Sequence, residues 1–245
     1  MIAKENTYKK LGTLKVVCVG NTSVFLEKHL THYENFMLSN SPVEPTFWNG
    51  TDVGFIVAHD KGGNDSWENF QKEIKFAREQ NVITFPIFIS ESHPAVFDNI
   101  MMVNPKHFSG NIELYTYIGE SINSIKSFIL PPGLVDLDLE DIRSLFIGDG
   151  NLAFVYYEYK ANENKYIATQ KAIEKFTRLG STPHSVKFMI LNIAGSEEKL
   201  NMFDVVELSD IIHNEFGNNN CNLILGANID DNLTDNIHVS LWLKY

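Results

Sequence analysis

Little in this chain suits a metal cluster, a membrane or a nucleic acid. Two cysteines, Cys18 and Cys221, lie far apart in 245 residues, each in or beside an apolar run. That usage predicts two reduced core thiols rather than a disulfide framework or a zinc site. No apolar stretch approaches the ~18 residues that a spanning helix needs. The N-terminus, Met1-Ile2-Ala3-Lys4-Glu5-Asn6, lacks the apolar centre of a secretory signal. The expectation is a cytoplasmic protein with nothing to be removed. Basic residues are scarce as well: 20 Lys and Arg against 31 Asp and Glu give a formal net charge of −11. Without a Lys/Arg cluster to offset it, that field disfavours nucleic acid. It also opposes an anionic nucleotide unless a preorganised site overrides it.

What is present is an alternation of strands and helices. Thr13–Gly20 (TLKVVCVG) is a β-branched run that stops at a glycine, the pattern of a buried parallel strand. Ser23–Met37 reads as a helix, followed by a polar loop with two prolines. Val53–Ala58 reads as a strand, Trp67–Gln80 as a helix with Phe70, Ile74 and Ala77 on one face, and Val82–Ile89 and Ile100–Val103 as strands. This order predicts an α/β domain with a parallel, Rossmann-like sheet. Glu113–Leu130 repeats Leu114, Ile118, Ile122, Ile125 and Ile129 at helical spacing. It ends at Leu130-Pro131-Pro132-Gly133, because the residue before a proline avoids the α region.

Beyond that point the pattern changes to a smaller α+β module. Helices are expected at Asp138–Phe146, Tyr166–Leu179 and Met202–Phe216, and strands at Leu152–Tyr159, Val186–Ile193, Asn222–Ala227 and Ile237–Lys244. The reading divides the chain into residues 1–110, a central helix over 111–131, and residues 132–245.

The loop Pro132-Gly133-Leu134-Val135-Asp136-Leu137-Asp138-Leu139-Glu140-Asp141-Ile142 resembles a loop of the FtsZ/tubulin family, a proline-glycine-leucine turn followed by Asn-x-Asp-x-x-Asp. Phe188-Met189-Ile190-Leu191-Asn192-Ile193-Ala194-Gly195 is similar to that family's strand ending in a glycine turn. Ile224-Leu225-Gly226-Ala227-Asn228-Ile229-Asp230, with Asp235-Asn236-Ile237-His238-Val239, resembles its final hairpin, register included. The resemblance is nearly gap-free over residues 132–245. Over 12–131 it rests on strand order and one glycine loop. It implies a nucleotide-binding half, a central helix and a smaller α+β half.

By itself, the Asp136/Asp138/Asp141 group is an ordinary helix N-terminus, where carboxylates cap free N–H groups. The resemblance implies a second role, over the nucleotide of the next subunit, with the carboxylates positioning water or a cation for attack on the γ-phosphate. Asp138 and Asp141 fall on the family's two aspartates, so they are the catalytic candidates in trans. Asp136 stands where the family has asparagine and adds charge where a phosphate would approach.

The phosphate loops are eroded. Where the family has a glycine run after its first strand, this chain has Gly20-Asn21-Thr22-Ser23. Where it has Gly-Gly-Gly-Thr-Gly-Thr-Gly, the chain has His59-Asp60-Lys61-Gly62-Gly63-Asn64-Asp65-Ser66-Trp67. Gly20, Gly62, Gly63, Asn64 and Ser66 are the remnant cofactor-binding candidates. Asp65 puts a carboxylate where the resemblance implies phosphate, and Trp67 adds bulk. The family's guanine-reading aspartate aligns with Tyr115, which cannot accept both guanine N–H groups. A ribose-binding helix after Val82–Ile89 is expected to be missing, as is a strand-and-helix segment ahead of Val53–Ala58.

These readings predict no bound cofactor, with GTP or GDP as the ligand if the pocket still works. They predict an FtsZ-like interaction partner or regulator of a filament that has lost GTP binding and hydrolysis, acting through residues 132–245 and the acidic loop. The partners expected are FtsZ-like or tubulin-like subunits, or further copies of the chain, with no membrane insertion. A divergent self-assembling GTPase is the alternative, and a remodelled small-ligand module lined by Tyr115 a third reading. His29 and His32 share a helical face with no third ligand, so no metal is expected. His59 and Asp60 end a strand but lack a nucleophile. Family members continue past the last strand into a membrane-tethering peptide, and none is expected here.

Overall fold

A computed structural model describes residues 13–20, 36–39, 43–62, 66–92, 98–129, 133–178, 185–216 and 221–245. One sheet of nine strands runs through it in the order β2-β1-β3-β4-β5-β6-β9-β7-β8. The first five are β1 (Leu14–Val19), β2 (Phe36–Ser39), β3 (Val53–His59), β4 (Ile83–Ile89) and β5 (Met101–Val103). The others are β6 (Leu152–Lys160), β7 (Phe188–Gly195), β8 (Asn222–Ile229) and β9 (Asn236–Lys244). β1 to β5 are all parallel, as is the link from β5 to β6. β9 is antiparallel to both β6 and β7, and β8 is parallel to β7.

The helices are α1 (Ser66–Glu79), α2 (Asn111–Ile129), α3 (Leu139–Ser144), α4 (Lys165–Arg178) and α5 (Met202–Phe216). β3 and β4 are apolar along nearly their whole length because helices cover both faces of the sheet there. α1 buries Phe70, Ile74 and Ala77 with Trp48, Ile56 and Phe88 on one face. On the other, α2 buries Leu114, Ile118, Ile122 and Ile125 with Phe55, Phe85, Phe154 and Trp242. That second cluster takes residues from both halves of the chain. α4 and α5 cover the remaining face of β6–β9. Among the described residues no helix is long and apolar enough to cross a membrane.

Two sequence expectations are corrected. Phe36 and Met37, read as the end of a helix, lie in β2, which pairs with β1 from Val16↔Phe36 to Val19↔Ser39. The strand expected to be missing before Val53 is therefore present, and a short 3-10 turn follows it at Pro45–Trp48. Four residues, FMLS, are too few for period-2 alternation to outweigh the helical spacing around them. Residues 23–35 of that expected helix lie outside the described residues, as do His29 and His32.

The other correction concerns the final hairpin. β8 and β9 do not pair, because β7 lies between them. The connection crosses the end of β7, held by Asp230 N–H to Gly195 O (2.9 Å), Ser196 Oγ to Thr234 O (2.7 Å) and Glu197 N–H to Asp231 Oδ1 (3.1 Å). Thr234 takes a left-handed backbone (φ 49°) to make the turn.

Candidate functional site

The strand order 2-1-3-4-5 reverses direction between β1 and β3. In open α/β sheets a ligand crevice forms at the carboxyl ends of the strands flanking that switch. Gly20, in the left-handed region at φ 74°, follows β1 there. His59 ends β3, and Asp60, Lys61 and Gly62 follow it as a single 3-10 turn. Gly63, Asn64 and Asp65 lie outside the described residues. α1 begins at Ser66, whose Oγ donates to His59 O at 2.7 Å and is turned inward, 4% exposed.

The polar groups around this crevice are mostly engaged with one another. Ser90 Oγ lies 2.7 Å from both Asp60 Oδ2 and Ser92 O. Glu91 accepts from Lys61 Nζ at 3.3 Å and Lys106 Nζ at 2.9 Å, which holds its carboxyl below the usual range. His59 Nδ1 stands 2.8 Å from Asp60 Oδ1 but accepts the Lys61 N–H at 2.9 Å. Burial lowers the His59 pKa despite the opposing pull of Asp60. Asp60 Oδ1 is buried and, among the described residues, has no neighbour to bond with beyond that His59 ring. A carboxylate repels a phosphate at about 4 Å by roughly 4 kcal/mol per charge pair at a near-surface dielectric.

Tyr115 does not open onto the crevice. It is 3% exposed, packed within the cluster beneath α2, and burial raises its phenol pKa. Glu113, near the start of α2, accepts from both Ser109 N–H (2.8 Å) and Ser109 Oγ (2.7 Å), so its carboxylate closes a local turn.

The acidic loop is ordered by its own carboxylates. Asp136 Oδ1 accepts the Gly133 N–H at 2.8 Å. Asp138 caps α3: its Oδ1 accepts the Asp141 N–H at 2.8 Å, and Asp141 Oδ2 accepts the Asp138 N–H at 3.0 Å. This reciprocal pair is a capping box built from two aspartates. Val135 exchanges two backbone bonds with Ala227 of β8, at 3.1 and 3.0 Å. Gly133 is required there, since a Cβ would come 2.2 Å from Ala227 O. Asp136 and Asp138 remain exposed, each with one carboxylate oxygen outside these bonds.

The structure does not bring the two candidate regions together. Gly62 follows β3, and Val135 bridges to Ala227 of β8, a strand six positions away, which is about 29 Å at ~4.8 Å per strand. One copy cannot place its acidic loop on its own glycine loop. Sequence reasoning missed Ser90, Glu91 and Lys106 as neighbours of the crevice. Their positions just after β4 and β5 were the available signal. Among the described residues no three His, Cys, Asp or Glu side chains are grouped to hold a metal.

Comparison with known proteins places this geometry. No family model matches the chain. A curated protein, the mitochondrial division protein fszA of Dictyostelium discoideum, is 26% identical over 160 residues, covering 62% of this chain. The match spans 30% of that relative's own length. Among solved structures, a mutant FtsZ of M. jannaschii superposes with a TM-score of 0.70 at 13% identity, over 96% of this chain and 91% of that one. CetZ2 of Haloferax volcanii, solved as a GTPγS-bound protofilament, gives 0.61 at 11% identity, over 94% and 92%. The fold agrees with the resemblance drawn from the sequence. The chain has the fold of the FtsZ/tubulin family.

Proposed function

We propose that this protein is an FtsZ-like interaction partner that binds a filament subunit without holding guanine nucleotide itself. The observation that carries the reading is the Asp60 carboxylate at the switch-point crevice, whose buried Oδ1 has, among the described residues, only the His59 ring beside it at 2.8 Å. Tyr115 supports it, since a core side chain cannot serve as a base reader. The phosphate end has thus become acidic and the base end filled. The opposite region keeps a rigid loop with exposed carboxylates at Asp136 and Asp138.

The separation of about 29 Å requires the loop to act on a second molecule. CetZ2, a structural neighbour, forms a protofilament, and a neighbour of that kind supplies the surface on which the loop would dock. Head-to-tail contacts propagate only when both faces are competent. A subunit with a working loop and a disabled pocket stops growth where it binds. Asp138 and Asp141 then act in trans, on the partner's nucleotide.

Calorimetric titration with GTP and with GDP tests the first half of the reading. Binding weaker than about 1 mM is expected. Substoichiometric addition to polymerising FtsZ tests the second, with shorter filaments as the expected result. Unchanged filament lengths would remove it. The second reading, a divergent GTPase that assembles with itself, is favoured by the survival of β2 and of the strand order around the crevice. It requires hydrolysis that rises steeply with protein concentration.

A further inference from the structure

The paired helices α4 and α5 leave apolar side chains in solvent at one end. Phe203 is 88% exposed, Ile167 56% and Tyr166 50%, with Met202 and Val206 close behind. Lys165 Nζ reaches Asp204 Oδ1 at 2.6 Å and also binds Glu207. That bridge pins the first turn of α4 to the first turn of α5, which sets Tyr166 and Ile167 at the same end of the helix pair as Phe203, while Met202 and Val206 continue the apolar surface along the side of α5 turned away from α4. They are not core residues displaced outward. The inner faces of both helices are already filled by Ala168, Ala172 and Phe176, and by Val205, Leu208 and Ile212. An exposed phenylalanine alone sets on the order of 200 Å² of apolar surface in water, and a polar-rimmed cluster of this kind marks an interaction site.

The rim selects the partner. Glu163, Glu197, Glu198, Glu207 and Asp210 are exposed around the cluster. The nearby cations are largely neutralised: Lys165 lies between two carboxylates and Lys199 pairs with Asp235 at 3.2 Å, while Lys171 sits a turn further along α4. A second copy docked by a two-fold would set acidic rim against acidic rim, and an anionic lipid surface would be repelled.

We propose that this face docks a basic amphipathic helix of a partner protein, with apolar side chains over Phe203, Ile167 and Tyr166 and Lys or Arg along the acidic rim. The inference is independent of the crevice and of the loop at Asp136–Asp141.

Fluorescence anisotropy with an idealised Leu/Lys amphipathic helical peptide tests it, using a Leu/Glu peptide of the same pattern as control. The Leu/Lys peptide binds, and hydrogen-exchange protection appears at residues 166–167 and 202–206. Phe203→Ser, a change at an exposed site that leaves circular dichroism unaltered, weakens binding at least tenfold. The double variant Glu198→Lys with Asp210→Lys weakens it and flattens its salt dependence. The proposal is overturned if the Leu/Lys peptide does not bind, if Phe203→Ser binds it equally well, or if the Leu/Glu peptide binds as tightly. Sedimentation showing a dimer that Phe203→Ser dissociates would make the occupant a second copy. Flotation with phosphatidylserine vesicles, lost in Phe203→Ser, would make it a membrane. Either result also overturns the proposal.

Discussion

Glu73 is fully buried, and its two oxygens take Trp48 Nε1–H at 2.6 Å and Val43 N–H at 2.7 Å. Burial lifts its carboxyl above the ordinary value despite those donors. Folding therefore disfavours the charged form. The contribution of Glu73 to stability is greatest below the ordinary glutamate range and declines as pH rises through its folded-state value. Urea midpoints should fall over that window in the native protein and flatten in Glu73→Gln. Glu73→Ala leaves two buried donors without an acceptor and should cost about 1–3 kcal/mol for each. Asp138 separates two roles. Asp138→Ala removes a cap and should lower stability by about 1 kcal/mol. Asp138→Asn keeps the cap, so melting stays within a few tenths of a kcal/mol while any shortening of FtsZ filaments is lost. The capping box was legible as Asp138-x-x-Asp141 ahead of an apolar run. The setting of the Asp60 carboxylate was not, because it depends on how His59, Ser90 and Ser92 converge at the ends of β3 and β4.

Along α2, the hydroxyls of Ser121, Ser124 and Ser127 each donate to the carbonyl three residues earlier, at 2.7 Å. Their oxygens then accept from across the sheet: Trp242 Nε1 reaches Ser124 Oγ at 2.9 Å and Asn192 Nδ2 reaches Ser127 Oγ at 2.9 Å. Asn228 Nδ2 extends the chain to Asn192 Oδ1, also at 2.9 Å. Ser124→Ala strands the Trp242 indole and should cost about 1–3 kcal/mol, read from denaturant curves followed by tryptophan fluorescence. The apolar stripe of α2 was plain from its spacing, and α5 occupies the Met202–Phe216 span read from the sequence. The serine network was not legible, since nothing in a serine's position names a partner more than a hundred residues away. Phe36–Ser39 was misread for a related reason: a four-residue edge strand is defined by its neighbour and not by its own pattern.

For the whole molecule, the strand alternation gave the class of fold, but not the path that carries β9 between β6 and β7. That path depends on the Asp230–Thr234 crossover. It leaves the parallel and mixed regions of the sheet joined by one register pair, Met101↔Leu152. Backbone bonds beside it are few: Leu152 N–H to Ile100 O at 3.2 Å and Asn99 N–H to Gly150 O at 2.8 Å. Lys244 Nζ adds Asn99 Oδ1 and Ile147 O, at 2.8 and 2.9 Å. Cohesion across the seam comes instead from rings: Phe85 stands edge-on to Trp242 with centroids 4.7 Å apart, and Phe154 lies 5.2 Å from the same indole. Contact of this kind fades on cooling, whereas a hydrogen-bonded ladder does not depend on the solvation of apolar surface. Chilling the protein in mild urea should loosen the amides of Asn99 and Leu152 before those of β3 and β4. The temperature of storage or assay thus becomes a handle on the middle of the molecule, tightening it when warm and slackening it in the cold.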